Sequence, residues 1–268
     1  MESLEVALFA AAQEAWLAVR ALGRALLGRE RFDRLIDRTG LRGLKNRAWL
    51  SRRMLPDGSD LLYRPHDQCI IEEVYGRDAY GRDRIPAGAT VVDAGAHIGV
   101  FTLMAARRVG PSGRVFAFEP SPGSRKILER NVRCNGLSWV SVIPAALADA
   151  PGTASFYAAD ASAANPVADS LDPVPGREPV SVPVLRLDDA LAREGVSRVD
   201  LLKVDVEGAE LKLIDGAPRT LAGVRRVVME VHPPRVDPEE VRQRLDAQGF
   251  SCRISEAGGC VLLEAVRP

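Results

Sequence analysis

The run Val91-Val92-Asp93-Ala94-Gly95-Ala96-His97-Ile98-Gly99 ends an apolar stretch on an acid and breaks into a glycine-rich turn. Glycines there permit a tight turn and close approach of main chain to a ligand. The spacing is G-x-x-x-G, without the G-x-G pair that lets backbone approach a pyrophosphate, and Asp93 would set a carboxylate beside those phosphates. Such a turn disfavours a dinucleotide and suits a ligand with an ammonium and no phosphate. The next apolar run, Phe116-Ala117-Phe118-Glu119-Pro120, places Glu119 26 residues after Asp93. An acid at the end of that strand can accept hydrogen bonds from both hydroxyls of a ribose.

An ammonium, a ribose and no phosphate describe S-adenosyl-L-methionine (SAM). Two later stretches hold groups that could act on a methyl acceptor. In Lys203-Val204-Asp205-Val206-Glu207-Gly208-Ala209-Glu210, strand alternation puts Lys203 and Asp205 on one face, and Gly208 starts a helix at the strand's carboxyl end. That edge is where ligands sit in open α/β sheets. Asp205 is the first candidate for base or acceptor positioning, with Glu207 beside it; the alternative is a carboxylate paired to Lys203 or capping the helix. Met229-Glu230-Val231-His232 ends at the same edge, and Pro233-Pro234 turns the chain outward. His232 has a pKa suited to general-base work, whereas Glu230 is expected to support the core. Methyl transfer is an in-line displacement whose rate comes largely from alignment, and a base adds about 10²–10⁴-fold. Asp205, Glu207, Glu230 and His232 could converge on Mg²⁺, but no ligand spacing is specific enough, and no metal is expected.

These groups need a sheet to hold them. From Ala89 onward, β-branched runs alternate with helical stretches: TVVDA, RVFAFE, VSVIPAAL, VDLLKVDV, RVVMEVH, then SCRIS and CVLLEAV. Continuous apolar strands alternating with helices imply a largely parallel sheet with both faces covered. The helix after TVVDA should present Ile98, Phe101, Met104 and Ala105 on one face and stop at Gly110-Pro111. The next should open on Ser121-Pro122 and close at Asn135-Gly136. A glycine turn between the last two strands makes a C-terminal antiparallel hairpin, which ends a methyltransferase sheet rather than a dinucleotide-binding one. Residues 159–180, rich in Ala, Pro, Asp and Ser, are expected to form a lid or acceptor loop.

Composition bounds the rest. The 268 residues suffice for one domain with an extension, and net charge is zero, so no polyanion partner is advertised. With no aromatic base-clamping motif either, nucleic acid is not expected as a substrate. Four scattered cysteines and three histidines make a zinc cluster hard to assemble; Cys252 and Cys260 could face each other across the hairpin, but reduced thiols in a cytoplasmic protein are expected. Residues 4–27 read as an amphipathic helix, because Glu14, Arg20 and Arg24 interrupt the apolar run. From Arg20 to Arg53 there are eleven Lys/Arg against three acids. Residues 1–55 are therefore assigned to a basic helical extension and 56–268 to the catalytic domain. The extension could pack on that domain, pair with a second copy as a homodimer or lie on a membrane, the last not favoured.

The stretches VVDAGAHIGVFTL, VFAFEPSP and DLLKVDVEGAELKLIDGA resemble FkbM-type methyltransferases, mostly O-methyltransferases of natural products and sugars. The resemblance covers roughly residues 60–265 and includes the upstream segment IIEEVYGRDAY. It implies the Rossmann-like seven-stranded SAM-dependent fold, with cofactor contacts at Asp93, Gly95, His97, Gly99 and Glu119. It further implies that the upstream segment folds over the cofactor or acceptor pocket, where Glu73 and Tyr80 would meet the acceptor. Asp149, after the VIPAAL strand, is a candidate for the adenine amino group. The expected reaction is O-methylation of a small metabolite hydroxyl. An NAD-dependent oxidoreductase and a non-catalytic SAM-binding or membrane-peripheral scaffold are the rivals.

Overall fold

A computed structural model describes residues 50–157, 179–257 and 259–268, together with scattered positions between 19 and 35. The expected amphipathic helix over 4–27 and the loop over 159–180 lie largely outside the described residues. The chain divides into two units, one of residues 1–51 with 160–167 and one of the remainder; the second is described here.

The seven expected runs each supply one strand of a single sheet, in the spatial order β11 (Ser251–Ala257), β12 (Cys260–Val266), β10 (Arg226–Val231), β9 (Leu201–Val204), β3 (Thr90–Ala94), β4 (Arg114–Phe118) and β5 (Val140–Ile143). The central strands are β3 (Thr90–Ala94), β4 (Arg114–Phe118), β5 (Val140–Ile143), β9 (Leu201–Val204) and β10 (Arg226–Val231). They run parallel to one another. The hairpin of β11 (Ser251–Ala257) and β12 (Cys260–Val266) closes the edge, β12 pairing antiparallel with both β11 and β10. Cys252 pairs with Ala265 and Cys260 with Ala257, so these thiols do not face each other, and all four cysteines are free. Among the described residues no helix is long and apolar enough to cross a membrane.

Alternation gives the sheet two different faces. Val92, Ala94, Phe116, Phe118, Leu202, Val204, Val227, Met229 and Val231 lie in one dry core. Covering this face are α4 (Leu187–Arg193), α5 (Glu210–Asp215), α6 (Pro218–Gly223) and α7 (Pro238–Asp246), through Leu191, Leu213, Leu221 and Leu245. Residues one step along the strands, Asp93, Ala117, Lys203 and Val228, share the other face, since they stand opposite one another in register. On it lie α2 (Val100–Val109) and α3 (Pro122–Cys134). Helix α2 is not one-sided as expected: Val100 through Ala106 are all buried, and Ile98 precedes the helix. Helix α3 follows the sequence reading, with Ser121 as N-cap, Pro122 at its start and Asn135 at its end.

Two further expectations are corrected. Residues 51–54 are strand, not helix: β1 (Ser51–Met54) pairs with β2 (Asp60–Tyr63), tied by Arg52 to Asp60. Asn131 of α3 and Asn135 at its C-terminal cap hold that hairpin, accepting from Leu62 N and Asp60 N respectively at 2.8 Å each. The run VSVIPAAL is two strands, because Pro144 ends β5 and β6 (Ala146–Leu147) joins a second sheet with β7 (Gly152–Phe156) and β8 (Val180–Leu185). Upstream, α1 (Gln68–Ile71) runs into a π-turn (Glu72–Gly76).

Candidate active site

The carboxyl ends of β3, β4, β9 and β10 bring the chemistry-bearing residues to one edge. Beyond β3 the chain turns through Gly95, His97 and Gly99, with φ of 79°, 52° and 91°. Gly95 serves a contact unlike the expected one. A side chain there would overlap the carbonyl oxygen of Asp205, so glycine permits backbone to meet backbone between the turn and the end of β9. Lys203 seals the junction, donating from Nζ to Gly95 O at 2.8 Å.

Asp93 is engaged by protein groups beneath the turn. It is fully buried, accepts from Thr102 Oγ1 at 2.5 Å, and lies 3.2 Å from Lys203 Nζ. Burial alone would lower the Lys203 pKa, but the carboxylates of Asp93, Asp205 and Glu73 outweigh it and raise it. Glu119, also buried, accepts from His97 N at 2.6 Å and Ser121 N at 2.7 Å. Two main-chain donors thus fix its carboxylate at the end of β4. His97 Nε2 accepts from Arg64 Nη2 at 2.8 Å, and Arg64 also pairs with the buried Asp67.

At the ends of β9 and β10 the acids face one another. Asp205 splits its oxygens, Oδ2 lying 3.6 Å from Lys203 Nζ and Oδ1 3.6 Å from His232 Nε2. Glu207, at a φ of 52°, brings Oε2 within 3.7 Å of the same nitrogen. On the ring's other side His232 Nδ1 meets Oε1 of the fully buried Glu210 at 2.6 Å. Burial alone would depress His232, but the Glu210 hydrogen bond and the carboxylates of Glu207 and Asp205 carry its pKa to about 9. Glu230 points to this face too; burial, with Asp205 and Glu73 nearby, pushes it up to about 7. Burial likewise raises Glu73, which accepts a hydrogen bond from the Tyr80 hydroxyl.

The model of the methyltransferase FkbM domain matches residues 93–252, which spans this whole edge. A methyltransferase of Sordaria araneosa, sdnD, is 30% identical over 68% of this chain and 82% of its own length. The chain belongs to the FkbM methyltransferase family. The 31-O-demethyl-FK506 methyltransferase of Streptomyces tacrolimicus is 29% identical over 74% of this chain and 87% of its own. The chain spans only 10% of a third relative, the AMB antimetabolite synthetase AmbE of Pseudomonas aeruginosa, at 34% identity over 62% of this chain.

For an FkbM methyltransferase, then, Gly95, His97, Gly99 and Glu119 cluster at one turn, and Asp205, Glu207 and His232 at the adjoining strand ends. Asp93 lies beneath both, as a buried ionic partner. Tyr80 is a packed side chain, edge-on to Phe101 at 5.2 Å, with its hydroxyl taken by Glu73. Asp149 sits exposed in a bend after β6, on the second sheet rather than at the end of β5. Sequence reasoning missed Glu210 and Arg64, and it placed Glu230 in the core. For Glu230 a signal existed: it is two residues from His232, so alternation puts both on one face.

Proposed function

We propose that this FkbM methyltransferase transfers a methyl group from SAM to a hydroxyl of a small metabolite. The observation that carries this reading is the abutment of the glycine turn on the acid–imidazole cluster, with Gly95 packed directly on the Asp205 carbonyl. The residues suit the cofactor's chemistry: Glu73, Asp205, Glu207 and Glu230 give this edge a surplus of carboxylates, which welcomes a cation and repels a pyrophosphate. Glu119 would accept from the ribose, and the backbone of the turn from Gly95 to Gly99 would line the amino-acid portion. When bound, SAM supplies an electrophilic methyl group beside a positive sulfur. The chain's own work is then alignment and proton removal. Glu210 fixes the imidazole of His232, so that Nε2, Asp205 and Glu207 face the space where an acceptor hydroxyl must sit. The name of the Streptomyces relative refers to an oxygen as the methylated atom of its substrate, which supports oxygen as the acceptor atom here.

Titration calorimetry with SAM, S-adenosyl-homocysteine and NAD tests the cofactor: micromolar binding of the first two and none of NAD is expected. A screen of hydroxylated sugars and polyketides, read by mass spectrometry for added methyl, tests the acceptor class. Asp205→Asn should keep SAM affinity and lose at least tenfold in turnover; full activity would remove Asp205 from the chemical step.

A further inference from the structure

We propose that Asp205, Glu207 and His232 form a binding site for one divalent first-row transition cation. A carboxylate oxygen from each acid and a ring nitrogen of His232 all lie within 4.8 Å of one another. The separations carry the argument. His232 Nε2 is 3.6 Å from Asp205 Oδ1 and 3.7 Å from Glu207 Oε2, too far for hydrogen bonds. Two ligands each about 2.1 Å from a shared ion stand roughly 3.0 Å apart at a right angle and about 3.6 Å apart at 120°. The two separations from the ring nitrogen are therefore those of ligands around a shared ion.

A second observation lies behind the ring. Glu210 is wholly buried; its Oε1 holds His232 Nδ1 at 2.6 Å, and its Oε2 has no hydrogen-bond partner among the described residues. A buried carboxylate on the far nitrogen is the usual support of a metal-bound histidine, fixing ring orientation and raising ligand basicity. Of the neighbouring cations, Lys203 pairs with Asp93 and, at 3.6 Å, with Asp205 Oδ2, the other oxygen of that carboxylate being the one near His232, and Arg235 Nη1 pairs with Glu207 Oε2 at 3.8 Å. One imidazole among the ligands selects manganese, iron or zinc over magnesium, which prefers oxygen alone. With Glu207 40% exposed, positions remain open for water or an acceptor hydroxyl. The cation's role rests on the methyl-transfer reading: with it bound, Asp205, Glu207 and His232 act as ligands rather than as the base, and the ion lowers the pKa of that hydroxyl, whose proton leaves to solvent.

The test is calorimetric titration of the metal-free full chain with Mn²⁺, Zn²⁺ and Mg²⁺, with pulsed electron paramagnetic resonance of the Mn²⁺ form. Single-site binding is expected, at least tenfold tighter for Mn²⁺ or Zn²⁺ than for Mg²⁺, with an imidazole nitrogen coupled to the manganese. Asp205→Asn and His232→Ala should each weaken Mn²⁺ at least tenfold, and the second should erase the nitrogen coupling. Should either variant fail to fold, the more exposed Glu207→Gln serves in its place. Absence of saturable binding, affinity untouched by these substitutions, or equal affinity for Mg²⁺ would overturn the site. SAM titrated separately into the metal-free chain reads the methyl-transfer proposal: SAM binding without Mn²⁺ binding sinks the cation site alone, and the reverse sinks only the SAM reading.

Discussion

The turn after β3 and the rim formed by β9 and β10 use the same residue types and treat their carboxylates in opposite ways. At the turn, each acid is met by donors from the protein: Asp93 by Thr102 and Lys203, Glu119 by the amides of His97 and Ser121. At the rim, Asp205, Glu207 and Glu230 crowd together around the shared cations His232, Lys203 and Arg235, and burial raises Glu207 and Glu230 above the ordinary carboxylate range. The first region is a frame completed by folding; the second concentrates like charge that a ligand can relieve. Functional sites are where such unfavourable arrangements are expected, since a core would not keep them.

The sharpest way to break this contrast is at the buried pair. Asp93→Ala leaves the buried Lys203 with only Asp205 and the Gly95 carbonyl and should cost about 3 kcal/mol in urea denaturation. Adding Lys203→Met should recover much of that loss, which a double-mutant cycle would read as coupling. A stable Asp93→Ala protein would show that the frame does not depend on the pair. Gly95→Ala comes next: a positive φ costs about 1–2 kcal/mol, and overlap with the Asp205 carbonyl adds about 1–3 kcal/mol. Because the displaced group carries Asp205, turnover should fall along with stability. Glu119→Gln should be milder. Its amide oxygen keeps one main-chain donor, so melting shifts little, while SAM affinity drops about tenfold, or about 1.4 kcal/mol. Unaltered affinity would detach Glu119 from the ribose.

The frame was far more legible than the rim. Each strand of the main sheet is a continuous apolar run, because strands covered on both faces need apolar residues at nearly every position. The smaller sheet escaped notice because β6 has two residues and β8 carries Pro183 among exposed positions. Residues 51–54 are strand because β1 pairs with a β2 held by Asn131 and Asn135, some seventy positions on, which no local basic pattern reveals. At the rim, alternation predicted that Asp205 shares a face with Lys203, and it does. It could not predict that Glu210 stands behind His232, since that contact joins the first turn of α5 to the end of β10. The partner of Asp93 was hidden for a related reason. Strand position gave the edge at which Asp93 lies, whereas its partner depended on Lys203 of β9 lying opposite in register.

The smallest expected effects separate the two kinds of carboxylate by sign. Asp188, buried at the start of α4, accepts from Arg219 N at 2.9 Å and from Thr220 N at 2.7 Å. Burial alone would raise its pKa, yet these donors outweigh it and lower it. A carboxyl held below its unfolded value stabilises the fold above that value, and the contribution is lost as pH falls through the folded pKa. Asp188→Asn should therefore lose about 1 kcal/mol at pH 7 and flatten the acid limb of the stability profile. Glu73 runs the other way. Its raised pKa stabilises the fold below its unfolded value, and that contribution fades as pH rises through the folded pKa. Glu73→Gln, which can still accept from Tyr80, should leave stability at pH 8 unchanged or higher by up to about 1 kcal/mol. If both substitutions destabilised at pH 8, the rim would be as satisfied as the frame, and its carboxylates would be structural.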